Sequence, residues 1–256
     1  MCRGENNDHK RMGTGWSRDE SQTSEEANQK QPTESRTEEK APQQQVKPQP
    51  EPELKLPYNY ESILREADSV IDKSSADKLY DQLCNGVFLN QKKKKYWVEK
   101  KSNGNCFFLF ARALSITWAE DNRFWHWPCH YETSDAFVEV AELLNVCWLE
   151  IHGKFDTTKL SSIFLYEVAF VIMLKDCAYG WEVPVNTRIT LPNGIKQEHK
   201  QNLATKPRGR WIEIPVGEFI TSPENVGEIE VSLYEYEGGK WKKGLVVKGI
   251  IIRPKT

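Results

Sequence analysis

The 256-residue sequence predicts an all-β chain: an antiparallel β-sandwich, jelly-roll-like, preceded by a disordered tail and a short helical segment. Three observations carry that expectation. Short runs alternating apolar and polar residues succeed one another from residue 96 onward, glycine and asparagine turn signals separate them, and no helical pattern intervenes. About nine or ten strands joined in this way can bury their apolar faces only by packing two sheets together.

Residues 1–57 are rich in Glu, Gln, Ser, Thr, Lys and Pro and end in QQQVKPQPEPELKLP. Such a composition buries too little apolar area to offset chain entropy, so it predicts a disordered tail. Between residues 58 and 90 the spacing becomes helical. Tyr60, Ile63, Leu64 and Ala67 form one stripe and Ala76, Leu79, Tyr80, Leu83 and Val87 a second, with a cap at Ser74 or Ser75 and a stop at Gly86. Two short helices docked on the following domain are expected. The run Lys92 to Lys95 reads either as a solvated strand edge or as a nuclear-import signal.

The β-domain occupies residues 91–256. Strands are expected at 96–100 and 106–111, flanking the hairpin signal SNGN, and then at 114–118, 138–144, 145–151, 164–174 and 185–191. After the Pro192-Asn193-Gly194 turn come 211–216, 228–236, the Gly238-Gly239 turn and 245–252.

The formal net charge is -2, and acids and bases are nearly balanced on both sides of residue 57. Phosphate-backbone binding requires an excess of Lys and Arg, so nucleic acid is not expected as the ligand. No run approaches the length of a membrane span, and the first residues lack the apolar stretch of a secretory signal. With no Asn-x-Ser/Thr acceptor present, the reading is a cytoplasmic protein without membrane contact. Six cysteines lie scattered without a CxxC pair, which excludes a zinc ribbon and fits buried thiols in a reducing compartment.

The stretch that points to function is LSITWAEDNRFWHW, residues 114–127. Trp118, Trp125 and Trp127 bracket a polar segment that includes Asp121 and Asn122. An indole offers an apolar face to the C–H side of a sugar ring, while carboxylate and amide groups bind its hydroxyls. Trp125 and Trp127, two apart, share a face if extended, and His126 then points away. Two readings stand for each indole: a sugar-stacking face, or packing in a sandwich core.

No GxSxG elbow, phosphate-binding loop or HExxH is present, and no cofactor is expected. His126, Cys129 and His130 offer only three metal ligands in one loop, so no metal is expected either. A carbohydrate-active enzyme with two carboxylates and a protein-interaction adaptor remain as alternatives.

The strings LSITW, FWHW, VCWLEIHGKFDT, YEVAFVIML, WIEIPVGEF and WKKGLVVKGIIIRP, in this order from about Tyr96 to the C-terminus, resemble the plant phloem protein 2 lectins. The resemblance implies a lectin without catalysis that binds N-acetylglucosamine oligomers of the chitin type, related N-glycan cores and glycoproteins carrying them. It further implies a cytoplasmic or nuclear location, companion cells and sieve elements of the phloem, and a part in defence. The binding role of the family's tryptophans maps onto Trp118 and Trp125, and then Trp127. Weak affinity for a single ring favours pairing of sites in a homodimer. Some relatives carry an F-box before the lectin domain; residues 1–55 are too polar to form its helices, and an adaptor for ubiquitin ligation is not expected.

Overall fold

The computed structural model describes residues 55–134 and 136–255, which belong to one compact unit; the expected tail falls almost entirely outside them. Helix α1 (Tyr60–Leu64) is a single turn, and α2 (Ala76–Asn85) runs ten residues. Ser75 caps α2 by accepting a hydrogen bond from the Lys78 N–H, and Gly86 ends it at φ +95°. Leu79 and Leu83, one turn apart, are buried together with Ile63 in the main core, so the helices are part of the sandwich.

The strands are β1 (Val87–Leu89), β2 (Lys94–Glu99), β3 (Gly104–Phe110), β4 (Ser115–Ile116), β5 (Trp125–His126), β6 (Cys129–Tyr131), β7 (Phe137–Glu139) and β8 (Ala141–Leu143). They continue with β9 (Leu149–Asp156), β10 (Leu165–Tyr179), β11 (Val185–Thr190), β12 (Lys196–Gln201), β13 (Trp211–Ile220), β14 (Glu228–Glu235) and β15 (Lys243–Pro254). One sheet runs β1-β2-β3-β15-β10-β13, with β8 also on β15 and β5 on β8. The second runs β12-β11-β14-β9-β4, and β6 and β7 form a separate ribbon. The pairings are antiparallel.

Period-two alternation decides which faces meet. Val168, Phe170, Ile172 and Leu174 of β10 face Leu149, Ile151 and Phe155 of β9 and Ile229, Val231 and Leu233 of β14 in one core. Gly153 continues the inward row of β9 because a Cβ there would strike the Ile250 side chain. The outward residues Ala169, Val171 and Ile251 join Phe108 and Phe110 in a smaller cluster on which Val138 of β7 packs.

Several expected boundaries shift. The 138–144 segment divides into β7 and β8, and the strand expected from 145 starts at Leu149. Strand β1 lies inside the segment read as helical and pairs with β2, so that segment supplies a strand as well as helices. Of the lysine run, Lys94 and Lys95 are in β2, and the Asp68 carboxylate accepts from the backbone N–H groups of Gln91 and Lys92 just before it. Strand β12 was not expected: KQEHKQ is polar on both faces. The Gln197 side-chain amide holds it to the neighbouring sheet edge, donating to the Glu218 carbonyl at 2.6 Å and accepting from the Glu218 N–H at 3.0 Å. Among the described residues no helix is long and apolar enough to cross a membrane.

Candidate functional site

Strand β4 pairs with β9 at the edge of the five-stranded sheet, and the chain turns sharply where β4 ends. The Ala119 N–H donates to the Ile116 carbonyl at 3.1 Å, closing a turn whose third residue is Trp118 at φ +61°. Left-handed backbone at this place in a turn is the normal preserve of glycine or asparagine, and a bulky residue there is an outlier held by its surroundings. The reversal swings the Trp118 indole out of the core. It is 47% exposed, tilted against the Phe124 ring at 5.3 Å. An open groove of about 800 Å³ runs beside it, lined by Leu114, Ser115, Trp118, Glu120, Asp121 and Asn122.

The other two indoles face the same segment from within. Trp125 is 2% exposed and its Nε1–H donates to the Thr117 carbonyl at 3.1 Å. The expectation that Trp125 presents a ring to a sugar is therefore corrected: it is a core residue whose polar edge fixes the start of the Trp118 turn. Trp127 is half-buried, donates from Nε1 to the Ala119 carbonyl at 3.0 Å, and has the Arg112 guanidinium 3.6 Å over its ring. Arg112 is itself clamped on Glu139 at 2.8 and 2.9 Å, and that ion pair holds the Glu139 carboxyl below its usual range. One face of Trp127 is thus covered by a tethered cation. The exposed His126 side chain lies on the opposite side of this short strand.

Asp121 accepts from the Arg123 side chain, from Nε at 3.0 Å and Nη2 at 2.7 Å, which holds its carboxyl below the usual range. Its carbonyl takes the N–H groups of Phe124 and Trp125, so Asp121 organises the loop as well as lining the groove. Asn122 is exposed at the rim. Among the described residues, no group of three His, Cys, Asp or Glu side chains is gathered to hold a metal; His130 packs edge-on against Trp211 instead.

Sequence reasoning did not single out what stands across β9. Glu150 Oε2 accepts from Thr117 Oγ1 and from Trp148 Nε1, both at 3.1 Å, and Oε1 meets His152 Nε2 at 3.1 Å. Hydrogen bonding with His152, joined by that of Trp148 and Thr117, holds the Glu150 carboxyl below its usual range. His152 Nδ1 lies 3.1 Å from Glu230 and 3.0 Å from Ser232. Outward placement of Glu150 and His152 was readable from the alternation of Leu149, Ile151 and Phe155; their convergence on one another was not.

Residues 104–254 match the sequence profile of the family described as Phloem protein 2. The chain belongs to this family. It is 50% identical over 205 residues to Protein PHLOEM PROTEIN 2-LIKE A1 of Arabidopsis thaliana, covering 79% of this chain and 82% of that one. It is 45% identical over 205 residues to a protein of Luffa acutangula named Lectin, covering 79% of this chain and 97% of that one. An F-box protein of Arabidopsis thaliana, PP2-B10, is 34% identical over 219 residues, with 78% of each chain covered. The phloem protein 2 match takes in the Trp118 turn, both tryptophans behind it and the β9 and β14 side chains facing them.

Proposed function

We propose that this phloem protein 2 chain is a carbohydrate-binding lectin without catalysis, and that its ligands are N-acetylglucosamine oligomers of the chitin type and related N-glycan cores. The observation that carries the reading is Trp118: an exposed indole, forced into a backbone region that aromatic residues avoid, beside a groove with polar walls. Strain of this kind persists where the surrounding fold over-determines it and collects at ligand sites. The Luffa acutangula relative's name, Lectin, supports the same reading.

In this reading the Trp118 face takes the apolar side of one acetylated sugar ring, while Asp121 and Asn122 meet its hydroxyl or amide groups. Trp125 and Trp127 hold the turn from behind. A single stacked ring yields affinity of about millimolar, roughly -4 kcal/mol, so useful retention gains from pairing sites in a homodimer. The phloem is the proposed setting, within companion cells and sieve elements, and chitin-type glycans of an attacker give the protein a part in defence. Retention on immobilised chitin tests the proposal. The parent should bind and elute with N-acetylglucosamine oligomers, and Trp118→Ala should run through while keeping its unfolding midpoint. Equal retention of both proteins would remove Trp118 from the site.

A further inference from the structure

A second exposed indole stands immediately before β9, the strand with which β4 pairs. This residue, Trp148, is 42% exposed and stacks on Tyr236 with centroids 4.5 Å apart and planes 18° from parallel. Tyr236 stacks in turn on Tyr234 at 5.4 Å, and the Arg188 guanidinium stands over the Tyr234 ring at 5.1 Å. Trp148 is therefore the end member of a braced aromatic stack on the outer face of the five-stranded sheet. Its Nε1–H is tied to Glu150, which fixes the rotation of the ring.

The same carboxylate ties this stack to the Trp118 turn. Glu150 accepts from Trp148 and from Thr117, the residue before Trp118, and the Thr117 N–H donates to the Glu150 carbonyl at 3.0 Å. The β4–β9 register pairs Ser115 with His152 and Ile116 with Ile151. The pairing stops at Thr117, where the chain reverses; what brings the two indoles' segments together is the single Glu150 Oε2 atom, which accepts from Trp148 Nε1 and from Thr117 Oγ1, each at 3.1 Å. Two exposed indoles whose segments share one carboxylate, with the Glu150 and His152 side chains beside them on the outer face of β9, match a chain of sugar rings better than a single ring.

We propose that the Trp148–Tyr236 stack is a second ring-stacking position, taking a further N-acetylglucosamine unit of an oligosaccharide whose first ring lies on Trp118. This rests on the lectin reading above and adds to it a dependence on chain length. Neither indole has to move: Trp148 is positioned before the ligand arrives, and the gain from the second ring is not offset by ordering a loop.

Calorimetric titration of the full chain with the disaccharide and the tetrasaccharide of N-acetylglucosamine tests it. The parent should bind the tetrasaccharide about tenfold more tightly than the disaccharide, the increment of one aromatic stack. Trp148→Ala should bind the disaccharide as the parent does and lose that gain; Trp148→Phe should keep most of it. A Trp148→Ala protein that retains the full gain, or that loses affinity equally for both lengths, overturns the second position. Failure of the lectin reading is distinguishable, since the parent itself would then bind neither sugar. Binding by Trp118→Ala at parental strength would overturn the order of the two rings.

Discussion

Lys242 is the perturbation whose effect the structure fixes best. Its side chain is fully buried, and its ammonium meets the Glu235 carboxylate, 3% exposed, inside the turn between β14 and β15. The same nitrogen donates to the Cys147 carbonyl at 3.0 Å and the Lys240 carbonyl at 2.9 Å, while Glu235 Oε1 accepts the Gly238 N–H at 2.7 Å. Lys242→Met keeps the aliphatic stem and removes the charge, leaving a buried carboxylate without its counter-ion and two carbonyls without donors. Breaking one side of a buried pair destabilises by about 3–5 kcal/mol, a large part of the roughly 5–15 kcal/mol that holds a domain together. In urea the unfolding midpoint should fall by about 1–2 M at unchanged slope. Pairing Lys242→Met with Glu235→Gln removes both charges and should recover more than half of the loss, because the orphaned charge is the source of the penalty. A single variant less than about 1 kcal/mol below the parent would refute the reasoning, as would a double variant as unstable as the single. The consequence reaches the proposed second ring position, since this turn begins at Tyr236 and Cys147 precedes Trp148.

Three further outcomes follow from the site. Trp125→Ala should lower stability by about 3–5 kcal/mol in thermal or urea unfolding, because it empties a core position and orphans the Thr117 carbonyl; a loss under 1 kcal/mol would contradict core burial. Trp118→Gly should leave the unfolding midpoint unchanged or raise it: relief of left-handed strain, about 1–2 kcal/mol, outweighs the added freedom of the unfolded chain, about 0.5–1 kcal/mol. Chitin retention should vanish in the same protein, and a midpoint lowered by more than 1 kcal/mol would mean the indole is there for packing. The depressed Glu150 carboxyl contributes stability that is complete above its unfolded value, about 4.3, and lost as pH falls through the lower folded value. Urea titrations from pH 6 downward should therefore show a fall below about pH 4 that is shallower in Glu150→Gln; identical slopes would show that the carboxylate is not held by His152, Trp148 and Thr117.

The sheets were legible in this sequence because their inner faces are pure. Leu149, Ile151 and Phe155, with Gly153 filling the one remaining inward place, alternate with charged or polar partners, and Ile229, Val231 and Leu233 do the same opposite them. Strand β12 broke that signal for a physical reason: both faces of KQEHKQ are largely solvated, and it is held by its ladder with β11 and by the amide of Gln197 on the adjoining edge. Strand β1 was hidden because Val87, Phe88 and Leu89 directly follow a helix of matching apolar spacing, and only pairing with residues 94–96 separates the two. Local pattern finds elements that carry their own burial; it misses those stabilised by a distant edge.

The site shows the complementary limit. Trp118 and Trp125 stand seven residues apart in equally polar surroundings, yet one lies in the groove and the other in the core. The difference is the sign of one backbone angle at Trp118, which sequence does not encode locally because an aromatic residue has no intrinsic preference for it. That angle is imposed from behind, by the Trp125 and Trp127 N–H groups on the carbonyls of Thr117 and Ala119 and by Thr117 on Glu150. Two of the three tryptophans thus work as donors that aim the third. Replacing Trp127 by Phe keeps the stacking surface for Arg112 and deletes only the donor to Ala119, a change of about 1 kcal/mol in stability. If the aim of Trp118 matters, this variant should weaken chitin retention beyond what that loss in folding explains; parental retention would show that the turn holds without it.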